Sequence, residues 1–172
     1  DIVLPNPEGA ARAMRAAILD AGLTPDEVDH VNTHGTGTAA NDRSEYQAMA
    51  QVFGARLAQI PVTATTSLHG HLIGAAGAVE LLGCLLALSD GCIPPTAGFI
   101  GKDTECPVDL VTPMARQTNV NVLLSNAFAF GGMNAVLALK RRTLSSMAAC
   151  SCCRRLSFTA CGVSSARLAA GV

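Results

Sequence analysis

Charge and aromatic side chains are scarce. Only 15% of the 172 residues are charged, tryptophan is absent, tyrosine occurs once and phenylalanine five times. Low charge beside 49% hydrophobic residues excludes a disordered chain, which needs few apolar groups and much charge. The 16 glycines and eight prolines are too few and too scattered for a collagen-like or low-complexity chain. A formal net charge of -1 leaves no global signal for nucleic acid or for a membrane surface. The length suits one domain, or one large part of a larger protein.

Acidic residues are absent from Leu110 onward, where seven basic residues give a net +7. Up to Asp109, 13 acidic residues face five basic ones, a net −8. Most of the basic excess follows Leu139, at Lys140, Arg141, Arg142, Arg154, Arg155 and Arg167. A basic tail can bind nucleic acid or anionic lipid, but a solvated end without a partner explains it as well. After Arg142 the texture becomes Ser, Cys, Ala and Arg without a period. Residues 1–142 are therefore expected to be the folded domain, and residues 143–172 a separate basic, Cys/Ser/Ala-rich tail, disordered or foreign to the fold.

A regular cysteine framework is missing too. Seven cysteines is an odd count, with Cys84, Cys92 and Cys106 dispersed and Cys150, Cys152, Cys153 and Cys161 clustered. No CxxC pair with a second ligand pair stands in the tail, so structural zinc is not expected there. No charged n-region followed by an apolar h-region opens the sequence. A reducing, cytoplasmic setting is the default expectation. The longest apolar stretch, Leu72 to Leu88, carries Glu80 in its middle and Gly74, Gly77 and Gly83. A central carboxylate is costly in lipid, so the stretch reads as a helix buried on all sides of a soluble protein.

Periodicity then predicts helices over Glu8–Ala21 and Asp42–Phe53, the second opened by a capping box of Asp42 and Glu45. Strands are expected over Val28–Thr33, Ile60–Thr65, Val108–Val111, Asn119–Leu124 and Ala135–Leu139, with loops over 96–106 and 125–134. Alternating strands and helices ending in a hairpin-like pair predict an α/β fold, a mixed sheet with packed helices.

Three segments at strand ends hold the candidate chemistry. They supply His34, then His69 and His71, then Asn126, Phe128, Phe130, Gly131 and Gly132. Three readings are open. The histidines can form a zinc site, since His-x-His spacing is compatible with that metal, although no Asp, Glu or Cys joins them in these loops. They can be ordinary loop histidines satisfied by backbone. Or they can form an oxyanion site, in which two neutral imidazoles direct N–H groups at one thioester oxygen while charge develops. The Gly131–Gly132 turn can present amide N–H groups to an anion in the same way.

Three motifs carry a resemblance. Asn32-Thr33-His34-Gly35-Thr36-Gly37-Thr38, then Gly70-His71-Leu72-Ile73-Gly74-Ala75-Ala76-Gly77-Ala78-Val79-Glu80, then Ser125-Asn126-Ala127-Phe128-Ala129-Phe130-Gly131-Gly132-Met133-Asn134 resemble the β-ketoacyl-acyl-carrier-protein synthases in order and separation. The likeness runs over roughly residues 5–142. It implies the thiolase-like fold, built from two duplicated halves, each a mixed five-stranded sheet with helices. This chain resembles the C-terminal half. The implied reaction is decarboxylative Claisen condensation of an acyl thioester with malonyl-carrier protein, in fatty-acid or polyketide synthesis. A cysteine of the other half takes the acyl group. His34 and His71 match the two histidines that bond the malonyl thioester oxygen. Phe130 matches the residue whose N–H completes the acyl-transfer oxyanion hole and whose ring, with Phe128, gates the pocket. Thr36, Thr38, Asn126, Gly131 and Gly132 fall in the loops around substrate.

The resemblance implies no cofactor and no metal. It implies acyl carrier protein and acyl thioesters as partners, together with the N-terminal half or a homo- or heterodimer partner, and neither nucleic acid nor membrane. Four departures stand beside it. The nucleophile half is not in this sequence, so the chain alone is expected to be inactive. Thr66 stands where the family commonly has lysine, five positions before the second histidine. Ala129 replaces a glycine between the two phenylalanines, where a Cβ is expected to remove access to positive φ and stiffen the gate, and His69 a small hydroxyl residue. The alternative is a non-catalytic, chain-length-factor-like partner or a decayed fragment.

Overall fold

The computed structural model describes residues 4–141. The expected tail at 143–172 lies outside them. Pro7–Asp20 forms helix α1. Asn6 caps it, its side-chain oxygen accepting the Glu8 N–H at 2.9 Å, and Pro7 at the first turn needs no donor partner. Ala10, Ala11, Met14, Ala17 and Ile18 form its buried stripe. Gly22 turns the chain with a φ of 66°.

Strand β1 is His30–Asn32, helix α2 Ala39–Phe53, strand β2 Pro61–Thr63, and helix α3 the single turn Thr66–His69. Helix α4 runs over Ala76–Asp90. Strands β3 (Cys92–Ile93), β4 (Asp109–Leu110) and β5 (Arg116–Gln117) are short, and β6 (Val122–Ala129) and β7 (Met133–Lys140) are long.

Five strands form one sheet in the order β4-β2-β1-β6-β7. β4, β2, β1 and β6 are parallel, and β7 returns antiparallel to β6. The expected mixed five-stranded sheet is therefore present. β3 and β5 make a second, antiparallel ribbon that the sequence reading did not foresee, because two residues carry no period.

Side chains of β6 alternate between two cores. Val122 and Leu124 join α1, α2, Val31 and Val62 on one face. Leu123 joins Cys84, Ala87 and Leu88 of α4 on the other. Each fully buried Leu or Ile contributes about 1.5–3 kcal/mol, so both faces of the central sheet are needed.

Four expectations are corrected. Residues 125–134 are not a loop: β6 continues to Ala129, and only Phe130–Gly132 turns. Small and polar residues hid the strand, yet each is paired across to β7. Helix α2 begins at Ala39 rather than Asp42, and Glu45 caps nothing there; its carboxylate points into the loop after β1. Helix α4 is not buried on all sides. Glu80, Cys84, Ala87 and Leu88 face the sheet, whereas Leu82 and Leu86 are about 60% exposed. Finally, Ala129 has φ -140° and ψ 164°, an extended conformation open to any residue, so its Cβ strains nothing here.

By length and composition, Ile73–Asp90 is the one helix among the described residues that is long and apolar enough to cross a membrane. Glu80 at its centre is wholly buried in protein instead.

Candidate active site

β1, β2 and β6 run parallel, so their C-terminal ends reach the same edge of the sheet. In open α/β sheets that edge is where ligand sites are built. His34 follows β1. Thr66 and His71 follow β2. Phe128 and Phe130 close β6. β1 lies between the other two strands, so side chains from all three can meet over its end.

The loop after β1 is held tightly. The Thr33 N–H donates to the Thr63 carbonyl at 2.8 Å, and the Thr33 hydroxyl to the same oxygen at 3.0 Å. Asn32 reaches across to β2, its Oδ1 accepting the Thr65 N–H at 3.2 Å and the Thr65 hydroxyl at 2.9 Å. Gly35 has a φ of +47°, and a Cβ there would lie 2.5 Å from that of Ala64. Only glycine fits that approach.

Glu45 of α2 is buried beneath the loop. It accepts the N–H of His34 at 2.9 Å, the N–H of Gly35 at 3.0 Å and the Asn126 amide at 3.0 Å. Burial pushes its carboxyl above the ordinary range against the pull of these donors. Sequence reading assigned Glu45 to a helix cap; its signal as a site residue was invisible because its partners come from β1 and β6.

The imidazoles of His34 and His71 converge. Their ring centroids lie 5.8 Å apart with planes at 72°. Two donors serving one oxyanion must come within about 6 Å of each other, so this spacing allows a common oxygen. His34 is buried, and its affinity for a proton is lowered, first by burial and then by His71. Its Nδ1 has no partner. A neutral imidazole is the form that can donate to a developing negative charge without having already taken a proton.

Phe128 meets His34 edge to face at 6.0 Å. Phe130 is 74% exposed and makes no ring contact with either histidine among the described residues. Gly131 and Gly132 both have φ of 76°, giving the turn left-handed geometry. Thr36 and Thr38 share a 2.8 Å hydroxyl contact at the exposed side of the first loop. Asn126 is fully buried with its Oδ1 unpartnered. His69 turns aside, its Nδ1 donating to the Gly70 carbonyl at 2.9 Å. Among the described residues no group of three His, Cys, Asp or Glu side chains can hold a metal ion.

Behind the pair, Thr66 is buried and uncharged, its hydroxyl near the carbonyls of His34 and Gly35. Glu80 has no solvent exposure, and neither carboxylate oxygen has a partner. Burial, then Glu45, raises its pKa to about 7. The only sequence signal for it was a single charge inside the most apolar stretch.

Residues 1–100 match the family model of the β-ketoacyl synthase C-terminal domain. The chain belongs to the β-ketoacyl synthase family. Nodulation protein E of Rhizobium sp. (strain N33) is 46% identical to this domain over 141 residues, covering 82% of the chain and 35% of the relative. The 3-oxoacyl-[acyl-carrier-protein] synthase 2 of Synechocystis sp. is 41% identical over 138 residues, 80% of the chain and 33% of the relative. A solved ishigamide ketosynthase/chain length factor superposes with a TM-score of 0.79 at 40% identity, over 83% of this chain and 35% of that one. The chain thus spans about a third of the length of these relatives. Its fold is the α/β, thiolase-like arrangement of the ketosynthases, here as the C-terminal part.

Proposed function

We propose that this domain supplies the decarboxylating half of a 3-oxoacyl-carrier-protein synthase site. The observation that carries the reading is the convergence of His34 and His71 at 5.8 Å, with His34 held towards its neutral form. Both imidazoles donate to the thioester carbonyl oxygen of malonyl-carrier protein. The bond to the carboxylate breaks, carbon dioxide leaves, and the electron pair passes into the enolate. The enolate carbon attacks an acyl group carried on a cysteine. The carbon–carbon bond forms and the cysteine thiolate is released, leaving 3-oxoacyl-carrier protein. Phe128 against His34, and Phe130 at the open end of β6, flank the channel to that oxygen. Thr36, Thr38 and the Gly131–Gly132 turn line the approach, and Asn126 supports it from beneath through Glu45.

The acyl-bearing cysteine comes from outside the described residues. Cys84 is buried in α4, and burial pushes its thiol up to about 12, the opposite of an activated nucleophile. Partners in this reading are acyl carrier protein, acyl thioesters, and the remainder of a synthase or a chain-length-factor-like subunit seated on the open face of α4. The cytoplasmic setting belongs to the same proposal and rests on the sequence alone. A purely non-catalytic partner is disfavoured because that role gives no reason for two imidazoles to meet.

The test is incubation of the 172-residue chain with acyl- and malonyl-carrier protein, following 3-oxoacyl product. No condensation is expected from the chain alone. Turnover that survives replacement of all its cysteines would overturn the covalent route.

A further inference from the structure

His34 sits in a backbone that is gripped from two sides. From α2, the Glu45 carboxylate accepts the N–H groups of His34 and Gly35 at 2.9 and 3.0 Å. From the opposite side, the Thr66 hydroxyl lies 3.3 Å from the His34 carbonyl and 3.1 Å from the Gly35 carbonyl. Three successive peptide units are engaged, and the one between His34 and Gly35 is held at both its N–H and its C=O. A threonine side chain has few χ1 states in a helical turn, and the two carbonyls select the one that places its hydroxyl between them. One O–H shared between two carbonyls is a three-centre bond, and both carbonyls are otherwise without a backbone partner in a strand or helix.

We propose that Thr66 is a positioning residue for the His34 imidazole, its hydroxyl closing a clamp with the Glu45 carboxylate around the peptide units that carry that side chain. The task needs a short donor and no charge. It couples the end of β2 to the end of β1, so the two histidines are fixed relative to each other: His34 through the clamp, and His71 through the same segment that begins at Thr66. The proposal rests on the reading above only in treating His34 as catalytic.

Amide hydrogen exchange on the 172-residue chain, followed residue by residue by NMR, tests it without substrate. In Thr66→Val, which keeps the shape and removes the hydroxyl, the amides of His34 and Gly35 should exchange about tenfold faster relative to Leu123 and Leu124 in the sheet. The His34 imidazole should titrate at a higher pH as its ring gains water. Thr66→Ser should stay within about twofold of the unsubstituted chain. If the valine variant changes His34 and Gly35 only in step with Leu123 and Leu124, the clamp is overturned. Should that variant fail to fold, the unsubstituted chain decides: His34 and Gly35 must exchange more slowly than Gly37, and equal rates refute the proposal. Condensation by a chain stripped of its cysteines would sink the functional reading and leave these exchange rates untouched.

Discussion

Glu45 accepts the backbone N–H of His34 at 2.9 Å, so a buried carboxylate on α2 sets where the loop after β1 begins. Its other oxygen serves Gly35 at 3.0 Å, while Asn126 of β6 donates to the same oxygen as His34. One side chain therefore ties helix, loop and strand together at the edge of the sheet.

Glu45→Gln should be costly. The amide NH2 would replace one acceptor and face an N–H donor, leaving at least one buried donor unpaired. An orphaned buried group costs about 1–3 kcal/mol, more where a charge took part. A loss near 3 kcal/mol is expected in urea unfolding at neutral pH. A loss under about 1 kcal/mol would mean the carboxyl is held protonated and the glutamine mimics it.

His34→Ala and His71→Ala should each lower malonyl decarboxylation in the assembled synthase by about a hundredfold or more, the effect of removing one oxyanion donor. The double variant should fall little further, because both donors serve one oxygen. Release of carbon dioxide from malonyl-carrier protein is the measurement. Additive losses would show that the imidazoles act on different atoms.

Stability should depend on pH through two opposed groups. His30 is buried on β1 with Nδ1 donating to the Pro61 carbonyl, and burial lowers its pKa from 6.5 to about 4. The unfolded chain takes up that proton first, so stability from His30 is complete above 6.5 and is lost as pH falls towards 4. Glu80 runs the other way. Its pKa is raised from 4.5 to about 7, so its contribution is complete below 4.5 and is lost as pH rises towards 7. Each amounts to on the order of 3 kcal/mol over its window, and the two nearly cancel. Glu45 and His34 are shifted as well, so the two slopes are read by difference from the profile of the unsubstituted chain. Glu80→Gln should make stability rise with pH, and His30→Gln should make it fall. Parallel profiles in both variants would remove these two groups as the cause.

The exposed leucines of α4 should drive association. Leu82 and Leu86 stand on one open helix face, and uncovered apolar patches mark interaction surfaces. Light scattering should show association that persists in a chain ending at Arg142 and is suppressed by Leu82→Glu with Leu86→Glu. A monomer in the truncated chain, before any leucine is changed, would assign the association to residues 143–172 instead.

Much of the fold was legible locally. Apolar periodicity over Glu8–Ala21 announces α1, though not its Asn6 cap, and Val28–Thr33 and Ile60–Thr65 read as two short strands. The polar stretch Ser125 to Ala129 was not legible as strand. Its side chains have no alternation of apolar and polar character, and its pairing with β7 is a property of two segments together. Helix α4 misled for the opposite reason: its apolar residues surround the whole helix, and hydropathy cannot say which face a neighbour covers.

The sequence by itself determined the chemistry available at this site, since His34, His71 and the glycine turns lie in motifs whose order and spacing name the family. Tertiary structure alone decided the geometry of two histidines 37 positions apart, with ring centroids 5.8 Å from each other and planes at 72°. It also decided that Phe128, rather than Phe130, meets His34, and that Glu45 and Thr66 grip the same loop. The physical reason is range. Capping, turn and period signals act within about one turn of helix or a few residues of strand. The contacts that shape the site cross from β1 to β2, α2 and β6, and exist only once parallel strands bring their ends to one edge.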